Sequence, residues 1–191
     1  MNVLVLGKAQ SPLTPIISDS DCMVIEYDGL VNRDFLEKNN INFAVSYGYR
    51  HIIKKPVIDF LNGRIINLHI SYLPWNGGAD PNLWSFLEDT PKGVTIHYVD
   101  DGLDTGDIIS QTEIFFDEQY DTLRTTYEKL SQQMVKLFND SWPDILKGKL
   151  KRKKQPAIGS YHRLKDKEKF NYLLAKQGWN TPVKELIGKA L

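Results

Sequence analysis

The sequence has almost no cysteine, no net charge and no long apolar run, and each absence excludes a class of protein. The single cysteine, Cys22, cannot form an internal disulfide or a cysteine-based zinc site. Twenty-four basic residues balance twenty-four acidic ones, so binding to nucleic acid or an anionic membrane would need a local patch. No apolar run approaches the roughly 20 residues of a membrane span, and Met1 leads into a strand-like segment rather than a signal peptide. We therefore expect a cytoplasmic protein of about one domain.

Several motifs of known chemistry are also missing. The chain has no G-x-G-x-x-G, no phosphate-binding P-loop and no serine-hydrolase elbow. Its four histidines do not have the spacing of metal ligands on one helix, so we expect no metal. The basic run at residues 147–154 is more typical of a solvated tail than of a nucleic-acid site.

Short apolar segments alternate with helical ones along the chain. Strands are predicted at residues 2–7, 22–27, 42–47, 64–70, 93–99 and 107–115. Helices are predicted at residues 31–38 and 80–87, and a longer one from Asp121 should end before Pro143. Near-continuous apolar strands between helices favour a three-layer α/β fold with a doubly wound, mostly parallel sheet. We assign residues 1–148 to this domain and 149–191 to a C-terminal extension, which could be a subdomain, a dimer element or a wrapped tail.

Polar side chains gather at two predicted strand ends. Asn67 and His69 lie two residues apart, so a strand places both on one face. The loop at residues 100–106 holds several carboxylates and two glycines, which permit a tight turn. An amide, an imidazole and a carboxylate can together stabilise an oxyanion and move protons during acyl transfer to an amine. A strand-end cap and an ordinary turn would explain the same residues.

Residues 66–111 carry four elements in order: Asn67-Leu68-His69, the Leu73-Pro74 loop, G-V-T-I-H at residues 93–97, and L-D-T-G at residues 103–106. Together they closely resemble the core of the folate-dependent formyltransferases, which have a Rossmann-type sheet. These enzymes transfer a formyl group from 10-formyltetrahydrofolate to an amine. The resemblance implies that this chain is such an enzyme, with the folate as cosubstrate. Fewer residues precede Asn67 than this family usually carries, so we expect a shortened N-terminal part.

The resemblance also implies roles for individual residues. The catalytic set is expected to be Asn67, His69 and Asp104. The folate donor is expected to contact Tyr47, Gly48, Tyr49, His97, Asp100, Asp101, Gly102 and Leu103.

The acceptor amine distinguishes the branches of this family. The first loop lacks the Ser/Asn pattern that holds the phosphate in purine-synthesis enzymes, and the chain is short and neutral beside enzymes that act on methionyl-tRNA. The loop at residues 75–82 looks most like the branch that formylates nucleotide-linked amino sugars, with thymidine diphosphate as the expected nucleotide. The implied acceptor contacts are Tyr72, Trp75, Asn76, Gly77, Gly78 and Asn82.

Membership of that branch also implies how the protein assembles and what it serves. We expect a homodimer that helps to build the O-antigen of lipopolysaccharide and that has no nucleic-acid or membrane partner. Glycinamide ribotide or methionyl-tRNA formylation, or a relative that binds a nucleotide sugar without catalysis, stays an alternative.

Overall fold

The computed structural model describes residues 1–191, which fold into two compact units. Unit 1 comprises Met1–His69, Ile96–Ser110 and Val135–Lys154, and unit 2 comprises Ile70–Thr95, Gln111–Met134 and Gln155–Leu191. The strands are β1 (Asn2–Leu6), β2 (Met23–Tyr27), β3 (Phe43–Tyr47), β4 (Ile65–His69), β5 (Gly77–Gly78), β6 (Gly93–Tyr98), β7 (Ile108–Glu113) and β8 (Tyr161–His162). The helices are α1 (Leu13–Ser18), α2 (Arg33–Lys38), α3 (Lys55–Leu61), α4 (Pro81–Leu87), α5 (Leu123–Leu146) and α6 (Asn171–Leu174). None of the helices combines the length and apolar character needed to cross a bilayer.

Six of the strands form one sheet in the order β2-β1-β3-β4-β6-β7. Strand β1 pairs in parallel with both β2 and β3, and β3 pairs in parallel with β4, with Ser46 opposite Asn67. The predicted α/β fold with a mostly parallel sheet is therefore confirmed. Because β2 and β3 lie on opposite sides of β1, the strand order reverses there, and such a reversal leaves a crevice where doubly wound sheets bind ligands.

Both faces of β1 are buried, as expected for a parallel sheet covered on each side. On one face, Leu4 and Leu6 belong to a cluster with Leu36 of α2 and Leu61 of α3. The Asn32 side chain accepts a hydrogen bond from the Phe35 backbone N–H at 2.8 Å and so caps α2. This packing holds β1 rigidly behind the polar groups at its carboxyl end.

Helix α5 differs from the sequence prediction, because it continues through Pro143 to Leu146. A proline cannot donate a backbone hydrogen bond to the carbonyl group four residues earlier, so Pro143 costs α5 one such bond. Trp142 is buried and its ring meets the ring of Phe43 edge to face, with centroids 5.6 Å apart. Burial of this large side chain offsets the lost hydrogen bond, so the prediction that the helix ends before Pro143 was wrong.

The C-terminal extension contributes to the core of unit 2. Val183 and Leu186 are fully buried in one cluster with Trp84 and Leu87 of α4. Three 3₁₀ segments, Leu164–Phe170, Gly178–Asn180 and Val183–Glu185, carry the chain across this cluster. Trp84 is therefore a core residue.

Two glycines let the extension approach the loop after β4. Strand β5 pairs in parallel with β8, with Gly78 opposite His162. Gly78 has φ +87, and a Cβ there would lie 2.3 Å from the His162 carbonyl oxygen. At Gly159, a Cβ would lie 2.2 Å from the Pro74 carbonyl oxygen. Both distances are far inside van der Waals contact, so the backbones can meet only because the side chains are absent.

Candidate active site

Unit 1 brings together the three residues that the sequence predicted to be catalytic. Asn67 and His69 project from the same face at the end of β4, and Asp104 lies in the loop between β6 and β7. Asn67 Nδ2 donates a hydrogen bond to Asp104 Oδ1 at 3.1 Å, and His69 Nδ1 lies 3.6 Å from Asp104 Oδ2. An amide, an imidazole and a carboxylate thus form one cluster at the carboxyl end of the sheet.

The loop that carries Asp104 is held by its own hydrogen bonds. The Asp100 carboxylate accepts from the Gly102 backbone N–H at 3.1 Å and from Thr105 Oγ1 at 2.7 Å. Asp104 has φ +58, in the left-handed region that aspartate and asparagine tolerate better than most residues. Asp100 therefore organises the turn that directs the carboxylate of Asp104 toward β4.

His97 also belongs to this cluster, although the sequence suggested only a donor contact. The side chain is 2% exposed, and its Nε2 lies 3.2 Å from Asn67 Nδ2 and 3.4 Å from Asp104 Oδ1. The other ring nitrogen, Nδ1, lies 2.8 Å from the Tyr98 carbonyl oxygen. The sequence placed His97 near the site through the G-V-T-I-H element, but not against Asn67.

A pocket of about 240 Å³ opens at the carboxyl ends of β1, β2 and β3, where the strand order reverses. It contains two residues predicted to bind the donor, Gly48 and Tyr49. The Tyr49 hydroxyl donates to the Gly29 carbonyl oxygen at 2.7 Å and accepts from the Val31 backbone N–H. Burial raises the pKa of Tyr49 above its ordinary value, so the hydroxyl stays a neutral donor.

Three cationic or titratable side chains in this pocket were not identified from the sequence: Lys8, Arg50 and His51. They follow β1 and β3 directly, and only the strand order, with β1 beside β3, brings them into one pocket. Asp28 is the single acidic residue in the lining. The pocket can therefore attract an anionic group.

The other predicted donor residues lie at strand ends and in the catalytic loop. Tyr47 is half-buried at the end of β3, opposite Leu68 in the strand register. Asp101 is exposed and lies 3.6 Å from Lys55 Nζ in a surface ion pair. Gly102 is also exposed, as is Leu103 at the tip of the loop. Contact of these residues with a donor stays a prediction.

The predicted acceptor residues all lie in unit 2, and three of them, Asn76, Gly77 and Asn82, are buried. The Asn82 amide donates to the Leu123 carbonyl oxygen at 3.0 Å, and its oxygen accepts from Thr126 Oγ1. Tyr72, Trp75 and Gly78 are half-buried, whereas Gly77 is buried in β5. The half-buried side chains retain surface that a ligand could contact, while the Asn82 amide is used within the protein.

Asn76 joins the loop after β4 to the C-terminal extension. Its side chain is fully buried; its Nδ2 donates to Glu88 Oε2 at 3.2 Å and to Ser160 Oγ at 3.3 Å. Glu88 Oε1 in turn lies 3.1 Å from Nε2 of His162, whose ring stacks on Trp84 at a centroid distance of 3.6 Å. These bonds hold the shape of the loop, and the predicted contact of Asn76 with an acceptor stays a prediction.

The arrangement in unit 1 has the groups that acyl transfer requires. An N–H donor and an imidazolium can stabilise an oxyanion, and a carboxylate can pair with the imidazolium and exchange protons. No group of three or more His, Cys, Asp or Glu side chains is placed to hold a metal ion.

Comparisons with known proteins agree on one family. The family model described as formyl transferase matches residues 26–141. Methionyl-tRNA formyltransferase of Finegoldia magna is 34% identical over 144 residues, which cover 72% of this chain and 46% of that protein. Phosphoribosylglycinamide formyltransferase of Bacillus subtilis is 35% identical over 113 residues, 59% of this chain and 55% of that protein. The chain thus spans about half the length of the curated relatives it matches.

A solved structure matches along the whole chain. It is the formyltransferase PseJ from Anoxybacillus kamchatkensis, in complex with UDP-4,6-dideoxy-4-formamido-L-AltNAc and tetrahydrofolate. The two proteins are 53% identical, with a TM-score of 0.95 and coverage of 100% of each chain.

Proposed function

The chain belongs to the formyl transferase family, and on that premise we propose that it moves a formyl group from 10-formyltetrahydrofolate to the amine of a nucleotide-linked amino sugar. The observation that carries the proposal is the cluster of Asn67, His69 and Asp104 at the end of β4. The full-length similarity to a structure that holds a formamido sugar nucleotide and tetrahydrofolate supports the acceptor class.

The proposed reaction begins with attack of the neutral sugar amine on the formyl carbon. A C–N bond forms, and the formyl oxygen becomes an oxyanion. The charged imidazole of His69 stabilises it, together with the Asn67 N–H that donates to Asp104 before the substrates bind. Asp104 pairs with His69 and accepts the proton that the attacking nitrogen must lose. The bond between the formyl carbon and the folate nitrogen then breaks, and the proton passes to that nitrogen.

The nucleotide is proposed to be uridine diphosphate. Sequence motifs favoured thymidine diphosphate, but the relative that is 53% identical along its whole length holds a UDP sugar with a formamido group at position 4. We therefore propose a UDP-linked 4-amino-4,6-dideoxy sugar as acceptor. The pocket with Lys8 and Arg50, which also contains the predicted donor residues Gly48 and Tyr49, would favour an anionic part of either substrate.

Location and assembly belong to the same proposal. We propose a cytoplasmic homodimer whose product enters synthesis of a surface polysaccharide such as O-antigen. Tyr127 of α5 is exposed and meets the exposed Trp179 edge to face, with ring centroids 5.3 Å apart, which offers apolar surface for a partner. Light scattering of the purified chain would measure the oligomeric state.

The test is formyl transfer by the purified chain to a panel of acceptors. The panel contains UDP-linked and dTDP-linked 4-amino sugars, glycinamide ribotide and methionyl-tRNA, with product identified by the mass of one added formyl group. We expect the UDP sugar to be formylated fastest and Asn67→Ala to reduce turnover by at least ~100-fold. Tyr172→Ala, at an exposed residue, is the control.

Each other outcome has a defined meaning. Efficient formylation of glycinamide ribotide or methionyl-tRNA would replace the sugar proposal with that activity. Binding of the UDP sugar without transfer to any acceptor would support a non-catalytic relative instead.

A further inference from the structure

The buried ring of His97 is held in one tautomer by the backbone carbonyl of the next residue, Tyr98. Its Nδ1 lies 2.8 Å from the Tyr98 carbonyl oxygen. A carbonyl oxygen can only accept, so Nδ1 must carry the proton. In the neutral ring, Nε2 is then left with a lone pair and acts as an acceptor.

The group that faces this lone pair is the amide of Asn67. Asn67 Nδ2 lies 3.2 Å from His97 Nε2 and 3.1 Å from Asp104 Oδ1, so its two N–H bonds reach two different acceptors. If the amide were reversed, its oxygen would face the carboxylate of Asp104 and no hydrogen could lie between them. His97 and Asp104 therefore both require the same orientation of Asn67.

A charged His97 could not serve this purpose. With both nitrogens protonated, Nε2 would have to donate to Asp104 Oδ1, from which it lies 3.4 Å away, and would oppose the N–H of Asn67. The geometry is thus consistent with a neutral ring.

We propose that His97 is a positioning residue: its neutral, Nδ1-protonated ring accepts one N–H of Asn67 and fixes the orientation of the amide in the catalytic cluster. The effect on turnover rests on the proposed function, whereas the tautomer and the hydrogen bond do not. The role differs from the donor contact that the sequence suggested for this residue.

Two substitutions of His97 distinguish the contribution of Nδ1 from that of Nε2. In His97→Asn, the side-chain N–H can still reach the Tyr98 carbonyl, but the acceptor that faces Asn67 is lost. In His97→Gln, the longer side chain can place its carbonyl oxygen near the position of Nε2 and accept from Asn67. We expect His97→Asn to lower kcat by at least about tenfold with little change in either KM, and His97→Gln to recover most of the loss.

The direct test is nuclear magnetic resonance of the histidine rings in the ¹⁵N-labelled full chain. We expect His97 to show one protonated nitrogen, Nδ1, at neutral pH, and we expect the side-chain amide signals of Asn67 to shift in His97→Asn more than in His97→Gln. The exposed His51 is an internal reference for a solvated ring. Thermal unfolding of both variants controls for loss of the fold.

The outcomes distinguish this proposal from the proposed function. A proton on Nε2, or a charged ring at neutral pH, would overturn the role of His97 even if the enzyme formylates a sugar. Equal turnover of His97→Asn and the unsubstituted enzyme would also overturn it. If no acceptor is formylated, the tautomer and the Asn67 signals still decide whether His97 holds the amide.

Discussion

Asp104 offers a test that separates charge from backbone conformation. Its carboxylate faces Asn67 and His69, and its backbone has the positive φ of +58. Asparagine tolerates this conformation, whereas alanine is strained in it by roughly 1–2 kcal/mol. Asp104→Asn therefore removes the charge alone, and Asp104→Ala removes the charge and strains the loop.

The magnitude of the charge effect follows from the distance between His69 Nδ1 and Asp104 Oδ2, which is 3.6 Å. At that distance an imidazolium and a carboxylate attract each other by about 1 kcal/mol in bulk water and about 5 kcal/mol at an effective dielectric constant near 20. The two side chains are only 9% and 16% exposed, which favours the upper part of this range. Since about 1.4 kcal/mol corresponds to tenfold in rate, we expect turnover to fall by at least ~100-fold.

The assay combines turnover at saturating substrates with urea unfolding. Both variants should lose turnover equally, but only Asp104→Ala should also lose about 1 kcal/mol or more of unfolding free energy. Asp59→Asn, at an exposed residue of α3 that pairs with Lys55, is the control and should change neither quantity. Turnover of Asp104→Asn equal to that of the unsubstituted enzyme would refute the reasoning, and an Asp104→Ala variant of unchanged stability would refute the conformational part.

Three further predictions concern stability, acceptor affinity and partners. Burial alone would raise the pKa of Asp121, but hydrogen bonds from Lys129 and Thr125 outweigh burial and lower the pKa. The ionised carboxylate therefore stabilises the folded state at pH values above 3.8, the ordinary pKa of aspartate. Asp121→Asn should cost about 1–3 kcal/mol at pH 7, and in urea unfolding the deficit should shrink as pH falls below that value; a deficit independent of pH would contradict this. Ser160→Ala removes an acceptor for Asn76 and should raise the acceptor KM about fivefold without changing the donor KM; an unchanged acceptor KM would argue against a role for this loop. Methionyl-tRNA should show no appreciable binding even at low salt, and steeply salt-dependent binding would reveal a basic patch.

The sheet could be predicted from the sequence because each strand is a short apolar run between turn residues. Helices α1 and α3 were not identified. They are about as short as α2, but they begin after Pro12 and Lys54, which provide no side-chain cap, whereas α2 begins after the capping residue Asn32. The end of α5 was misplaced because Pro143 signals a helix end locally, while the burial of Trp142 that extends the helix depends on the distant Phe43.

The candidate site was predictable where one segment carried it. Strand alternation predicted that Asn67 and His69 share one face, whereas Asp104 was assigned to them through the resemblance to the formyltransferases. The pocket that contains Lys8 and Arg50 forms because β1 and β3 are neighbours in the sheet, and a local sequence pattern does not predict which strands are neighbours. Asn82 was predicted to contact the acceptor from the resemblance at residues 75–82, and only the fold shows that its amide, at the start of α4, has partners within the protein.

If the proposed function holds, the close backbone approaches at Gly78 and Gly159 have a practical consequence for altering the sugar acceptor. A side chain at either position would force the C-terminal extension away from the loop after β4, whatever its polarity. Random mutagenesis of the two segments that contain these glycines would therefore produce many variants that lose activity because they fail to fold, not because their specificity has changed. A library that fixes these two glycines and diversifies the half-buried Tyr72 and Trp75 would sample acceptor preference on an intact scaffold.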